Sequence, residues 1–337
     1  MRIAVDGMGG DHAPQEIVKG CVEAAKESRD EIYIVGPEEA IKKELKKYKF
    51  DRDQIKIVHA PEVILNDDPP VKAARTKRDS SMIRSISLVR EKKCDFALSA
   101  GNTGALMAGA LFNLGRIPGI DRPAIGMTYP ILGQGVSFLV DAGANAECKP
   151  SNLLEFATMG SIYMNKVLGF DSPTVGLLNI GAEEKKGTTM LKETYQLLKK
   201  SNLNFIGNVE ARDVPFGASD VLVCDGFVGN TLLKLTEGLA QKVVDLLKEK
   251  LTATTLSKLG ALMLTSQLKE LNKEFDYSEY GGAPILGVRG PVIKIHGSSK
   301  ANAVKNAIIK GIPYVENNVV GIIRDSVIEL EEITISE

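Results

Sequence analysis

The chain contains no Trp, three His and four Cys in 337 residues, and aromatic side chains make up only 5% of it. Three His are too few for a His-rich metal site. Cys21, Cys94, Cys148 and Cys224 are scattered without a Cys-x-x-Cys pair, so neither a zinc site nor a disulfide framework is expected. A surplus of one charge sign is also missing: 42 basic residues face 43 acidic ones, for a net charge of -1. A nucleic-acid binder needs a basic excess to replace counterions, so that class is excluded, although a local basic patch is not. No run of about 18 apolar residues exists, so no membrane-spanning helix is expected. The opening Met1-Arg2-Ile3-Ala4-Val5-Asp6 reads as a strand and leaves no room for a signal peptide, which makes the reducing cytoplasm the expected compartment. Internal repeats, low-complexity tracts and polar linkers are absent as well.

What the chain does have is one pattern used five times. A β-forming run ends in a turn of Gly, Asn, Ser or Asp and then enters a helical pattern. Arg2–Asp6 leads into Gly7-Met8-Gly9-Gly10, Asp95–Ala100 into Gly101-Asn102-Thr103-Gly104, and Val136–Asp141 into Ala142-Gly143-Ala144-Asn145. Thr174–Asn179 leads into Ile180-Gly181-Ala182-Glu183, and Val221–Asp225 into Gly226-Phe227-Val228-Gly229-Asn230. Turns of this kind lie at the carboxyl ends of strands, where α/β folds hold ligands. Gly lets backbone N–H groups approach a ligand, and the next helix N-terminus favours negative charge. Five together predict a broad anion-lined cleft and an enzyme that handles phosphate.

Further runs at Ile32–Val35, Ile55–Val58, Ile125–Thr128, Phe205–Gly207 and Val292–Ile295 also read as strands, with amphipathic helical patterns between most of them. The expected fold is a single α/β domain over residues 1–337, a three-layer α/β/α sandwich around a mostly parallel sheet. The turn Leu132-Gly133-Gln134-Gly135 predicts an antiparallel hairpin within that sheet. Residues 232–275 break the rhythm: two helical patterns with no strand between them predict a helical hairpin projecting from the domain. Around its tip, Leu256–Leu264 carries one charge, Lys258, and is otherwise small or apolar. Such a tip serves as core, as a dimer interface or as a shallow membrane contact through Leu256, Leu259, Leu262 and Met263.

Taken in order, the loops resemble those of the bacterial phosphate acyltransferase family. The matching segments are Asp6–Asp11, Ser99–Ala105, Asp141–Asn145, Asn179–Glu183 with Lys186-Gly187, Cys224–Asn230 and Lys294-Ile295-His296-Gly297, and the resemblance runs from residue 1 to about residue 325. Gly7 is the one departure, at a position where Ala or Val is usual. The resemblance implies a fold similar to the phosphotransacetylase and isopropylmalate dehydrogenase group. It also implies transfer of a fatty acyl group from acyl-carrier protein to inorganic phosphate, giving acyl phosphate for phosphatidic acid synthesis. No cofactor or metal is implied. The partners would be acyl-carrier protein, inorganic phosphate, a second copy in a homodimer, the inner face of the cell membrane, and a membrane glycerol-phosphate acyltransferase downstream. Two alternatives stay open: a phosphotransacetylase acting on acyl-coenzyme A, and a non-catalytic acyl-phosphate-binding regulator at the membrane.

Dianionic phosphate is already a nucleophile and a thiol is a fair leaving group, so the protein has mainly to orient and to stabilise an oxyanion. From the residues alone, Lys186 is a solvated loop lysine, and the family position makes it catalytic. His296 either donates to phosphate or the leaving thiolate or caps its own turn. Gly9, Gly10, Asn102, Thr103, Gly104, Asn145, Asn179, Asn230, Lys294 and Ser298 are the expected phosphate- or substrate-binding positions, with Arg289 as a further clamp candidate. Arg75, Lys77 and Arg78 form a basic cluster expected either to dock the acidic carrier protein or to bind phosphate. Asp6, Asp141 and Asp225 each end a strand and are expected to cap the following helix rather than hold Mg²⁺. Cys148 is expected to be a quiet structural thiol.

Overall fold

The computed structural model describes residues 1–131, 133, 135–267 and 277–335. Eleven strands form one sheet: β1 (Arg2–Asp6), β2 (Glu31–Gly36), β3 (Ile55–His59), β4 (Phe96–Ser99), β5 (Ala124–Ile131), β6 (Gly135–Val140), β7 (Thr174–Asn179), β8 (Asn204–Glu210), β9 (Val221–Val223), β10 (Ala283–Leu286) and β11 (Val292–Lys294). Their spatial order is β3-β2-β1-β4-β11-β10-β5-β6-β9-β7-β8. Pairing is antiparallel at β11–β10, β10–β5 and β5–β6, and parallel elsewhere. The inner strands are buried on both faces, which is why their sequences are continuous apolar runs, whereas the edge strands β3 and β8 are largely half-buried or exposed.

Helices cover both faces and create four apolar clusters. In the first half of the sheet, helices Gln15–Glu27 and Ala301–Glu316 pack on one face through Val18, Val22, Val304 and Ile308. Helices Ser81–Arg90 and Thr103–Asn113 pack on the other through Ile83, Ile86 and Leu106. In the second half, helices Pro150–Leu168 and Val319–Ile335 cover one face through Phe156, Met159 and Ile323. The opposite face receives Leu233 from the long helix Gly226–Leu251. The expected mostly parallel sandwich and the β5–β6 hairpin are both present, although Leu132 and Gln134 of its turn lie outside the described residues.

Two features differ from the reading of the sequence. Ala283–Leu286 is a central strand, although two Gly precede it and Pro284 interrupts it. It is held there by pairing with β5 and β11 on either side. The antiparallel strands at the centre also make the two halves of the sheet run in opposite senses. The loops after β1, β4 and β11 therefore gather at one edge, and those after β6, β7 and β9 at the other. The five turns thus fall into two groups.

Past Leu233 no residue of helix Gly226–Leu251 is buried, and helix Thr255–Met263 follows it through an exposed turn. At the tip Leu256, Leu262 and Met263 are 80%, 71% and 80% exposed. The side chain of Leu259, and Leu268, Leu271 and Phe275 altogether, lie outside the described residues.

Candidate functional site

The first group is assembled by Asp6. Its carboxylate is buried at the end of β1 and accepts the Ser99 hydroxyl at 2.6 Å and the Met8 N–H at 3.2 Å. Burial raises its pKa, while hydrogen bonds from Ser81, Ser99 and the backbone oppose that shift. The next helix begins only at Gln15, with Pro14 before it, so Asp6 is a loop organiser and not the expected cap. Gly10 adopts φ +95°, and a Cβ there would meet the Gly297 carbonyl at 2.8 Å. Asp11 N–H donates to that same carbonyl at 2.8 Å, tying the β1 loop to the β11 loop.

Lys294 is the buried cation of this group. Its Nζ donates to the Ala100 carbonyl at 3.5 Å and also to the Ile295 carbonyl. Burial lowers its pKa to about 8, with the carboxylates of Asp6 and Asp11 opposing the shift and the Lys234 ammonium adding to it. His296 lies two residues on. Its Nδ1 accepts the Ser298 N–H at 3.2 Å and sits 2.7 Å from the Ser298 hydroxyl. Partial desolvation, then Lys234, lowers its pKa. Both effects favour the neutral imidazole, and the Ser298 N–H donating to Nδ1 leaves its proton on Nε2, a hydrogen-bond donor rather than an acid. Ser298 therefore orients His296 directly.

Asn102 caps the helix that completes this group, accepting the Ala105 N–H at 2.9 Å, while its amide donates to the Asn66 carbonyl at 2.9 Å. Its side chain is thus committed to the scaffold. The first-turn N–H groups of Thr103 and Gly104 have no intrahelical partner by geometry, and both residues are exposed. Those N–H groups, Gly10, Lys294 and His296 make a donor-rich corner suited to a phosphate-sized anion, with the charge of Lys294 partly offset by Asp6 and Asp11.

The second group is organised by Asp141, which is fully buried. Its carboxylate accepts N–H groups from Ile125, Gly143, Ala144 and Asn145, and the Asn145 side-chain amide at 2.9 Å. This is again not a helix cap, whereas Asp225 is one: it accepts the Val228 N–H at 2.8 Å. Asn145 donates also to the Pro123 carbonyl, and its own carbonyl accepts from Gly226. Asn179 donates to the Lys186 carbonyl and to Asn208 Oδ1, and accepts the Ile180 N–H. The amides of Asn145 and Asn179, expected to face substrate, are spent inside the protein. Asn230 packs against Gly143, is exposed, and has no hydrogen-bond partner among the described residues. Lys186 is exposed in the loop after β7. Cys148 fits the expected structural thiol: burial pushes it up to about 12, and it donates to the Asn145 carbonyl.

Helix Gly226–Leu251 links the two groups. It starts against Asp141, where Gly229 lies so close to the Asp141 carbonyl that no Cβ would fit. One turn later it brings Lys234 within electrostatic reach of Lys294 and His296. Tyr129 of β5 meets its Thr236 at 3.2 Å. Met107, on the helix after Asn102, joins the same apolar cluster as Leu232 and Leu233. The groups thus face each other across β5 and β10.

Arg75 and Arg78 border an open cavity of about 820 Å³ shared with Arg84, Arg90, Lys93 and Phe112. Arg75 lies 4.8 Å from the Phe112 ring. Lys77 differs from the expected free docking charge: it is paired with Asp68 at 2.5 Å and bonded to the Val63 carbonyl. Arg289 precedes β11, at the edge away from Lys294, and donates to the Arg116 carbonyl, so it is no clamp for that corner. Sequence reasoning missed Arg84, Arg90 and Lys93, whose spacing reads only as a solvated helix end. Among the described residues there is no group of three His, Cys, Asp or Glu able to hold a metal ion, and no helix is long and apolar enough to cross a membrane.

Residues 1–321 match the family model described as "Fatty acid synthesis protein". The chain is 53% identical over 330 residues to a protein named phosphate acyltransferase from Alkaliphilus oremlandii, covering 98% of each chain. Among solved structures it is similar to a phosphotransacetylase from Streptococcus pyogenes, with TM-score 0.63, 16% identity and 94% of each chain covered. It is also similar to a 4-hydroxythreonine-4-phosphate dehydrogenase from Klebsiella pneumoniae, with TM-score 0.54, 12% identity and 93% and 98% covered. At those identities the structures share the fold alone, whereas the sequence match extends over nearly the whole chain. The chain belongs to the phosphate acyltransferase family.

Proposed function

We propose that the chain transfers a fatty acyl group from acyl-carrier protein to inorganic phosphate. The observation that carries this reading is the corner where buried Lys294, the neutral Nε2–H of His296 and the free N–H groups of Thr103 and Gly104 converge. Phosphate held there is oriented as a nucleophile. One of its oxygens attacks the thioester carbonyl carbon, and the oxyanion that forms accepts a hydrogen bond from His296. The C–S bond then breaks, giving acyl phosphate and a thiolate that takes a proton from solvent. Lys186, in the opposite group, supplies positive charge to the carbonyl side as the groups approach across the substrate.

The cavity beside Arg75 and Arg78 is the docking face for the acidic carrier in this reading, with Arg84, Arg90 and Lys93 at its border, each exposed but already beside Asp79 or Glu91. The hairpin tip makes a peripheral membrane contact in a homodimer, and the acyl phosphate passes to a membrane glycerol-phosphate acyltransferase. The test is release of free thiol from acyl-acyl-carrier protein with and without phosphate, run beside acyl-coenzyme A. Phosphate-dependent release from the carrier substrate is expected. Release only from acyl-coenzyme A would make the protein a phosphotransacetylase, and none from either would leave a binding protein. Reversing Arg78 and Arg84 to Glu should raise KM for the carrier substrate and flatten its salt dependence, with kcat unchanged.

A further inference from the structure

A second cavity, of about 790 Å³, lies where β1, β4 and β11 begin, at Arg2, Asp95 and Pro291. The corner around Lys294 lies where those strands end, so a strand length of roughly 15 Å separates the two. The cavity is walled by Val89, Leu114, Ile117, Val315 and Val319, and rimmed by Arg2, Arg90, Lys92, Arg289 and Arg324. Some of that charge is matched: Arg2 pairs with Asp95 at 3.4 Å, Arg324 with Asp325 at 2.9 Å, and Arg90 lies 3.8 Å from Glu91. Lys92 and Arg289 have no carboxylate within ion-pairing distance among the described residues.

Tyr314 touches the cavity wall, but it is 1% exposed, and its buried hydroxyl is out of reach of a ligand in the cavity. Lys92 (φ 57°) and Asn318 (φ 49°) follow the C-caps Glu91 and Asn317 and end their helices in the left-handed conformation common there, which turns both residues to the cavity rim. An apolar wall with a few convergent polar groups is the ordinary make-up of a small-molecule site.

We propose that this cavity binds an amphipathic monoanion, a carboxylate or monoalkyl phosphate with a medium or long alkyl chain. The chain lies along Leu114, Val315 and Val319, and the head group meets Lys92 and Arg289. The proposal stands independently of the acyl-transfer reading. A free fatty acid and a phosphorylated lipid share this chemistry, and two probes separate them.

Calorimetric titration of the full chain with decanoate and with decyl phosphate is the experiment, with 1-decanol and inorganic phosphate as controls. Binding of at least one anion is expected, tighter by tenfold or more than either control. Preference for decanoate assigns a carboxylate ligand, and preference for decyl phosphate a phosphoryl one. Lys92→Glu with Arg289→Glu should weaken that binding at least tenfold, while Lys294→Ala leaves it in place. Unchanged affinity in the charge-reversal variant overturns the proposal, as does equal binding of 1-decanol. If a second copy covers this face, the anions fail to bind and the charge reversal changes the sedimentation coefficient instead, which also overturns it.

Discussion

The two loop groups have nearly the same sequence signature and opposite physical states. Around Asp141 every buried polar group has partners: one carboxylate gathers N–H groups from Ile125, Gly143, Ala144 and Asn145, and Asn145 spends its amide on Asp141 and Pro123. Around Lys294 an ammonium is buried against carbonyls with carboxylates nearby, a neutral His keeps one N–H free, and first-turn N–H groups are open. A saturated network fixes shape. An open one presents donors at its surface that a ligand can take up. A Gly- and Asn-rich turn after a strand is therefore two different devices, and hydrogen-bond satisfaction tells them apart.

That contrast can be broken most severely at Asp141. Asp141→Ala strands several buried donors at once and should cost on the order of 3–5 kcal/mol of stability, read as a lower denaturant midpoint at unchanged slope. An unchanged midpoint would mean that Asp141 does not hold the scaffold. Lys294→Ala should do the reverse, losing on the order of 10²–10³-fold in transferase rate while melting no lower than the parent, since a buried ammonium has been removed. Near-normal turnover of the folded variant would take Lys294 out of the site.

The same residue sets a pH limb. A lysine held at about 8, below its ordinary value, loses its charge as pH rises through 8, so KM for phosphate should climb above that pH. Lys294→Arg should erase the limb. Its effect on stability has the opposite sign: the burial penalty is full below pH 8 and falls as pH rises toward the unfolded value. Lys186→Ala, in the exposed loop of the scaffold group, should cost on the order of 10²-fold in rate without loss of stability. A loss limited to KM for phosphate would move Lys186 to the nucleophile's side. The smallest effect on turnover belongs to the hairpin tip. Polar replacements at Leu256, Leu262 and Met263 should release the protein from liposomes, each Leu contributing roughly 1.5–3 kcal/mol, and leave turnover of carrier substrate intact. A variant that becomes monomeric would make the tip a subunit interface.

Much of the fold was legible because buried strands write themselves as apolar runs bounded by Gly and Asp, as at Phe96–Ser99 and Val136–Val140. β10 was not, because Pro284 and the preceding Gly281 and Gly282 speak locally against a strand, and only partners distant in sequence overrule them. The opposite senses of the two halves were not legible either: the turn before Gly135 reverses β6 against β5, but nothing local relates β5 to β4. Within the site, Gly10 and His296 were read from their turns. The burial of Lys294 depends on β11 lying beside β4, so its lowered pKa had no local signal. Asn145 and Asn179 misled for a definite reason: the amide that contacts a ligand also pins a loop.

The position of β10 and β11 bears on how the chain acquires its shape. Ala97 of β4 pairs with Val292, and Ile125 of β5 with Ile285, so the two strands that join the halves come from late in the chain. Until residue 283 has left the ribosome, β4 and β5 remain open edges that invite pairing with other chains. Closing the sheet requires contacts between distant residues, which makes this a high-contact-order topology and a slow folder. Chaperone dependence during synthesis, and aggregation of chains truncated before residue 283, follow from that late closure.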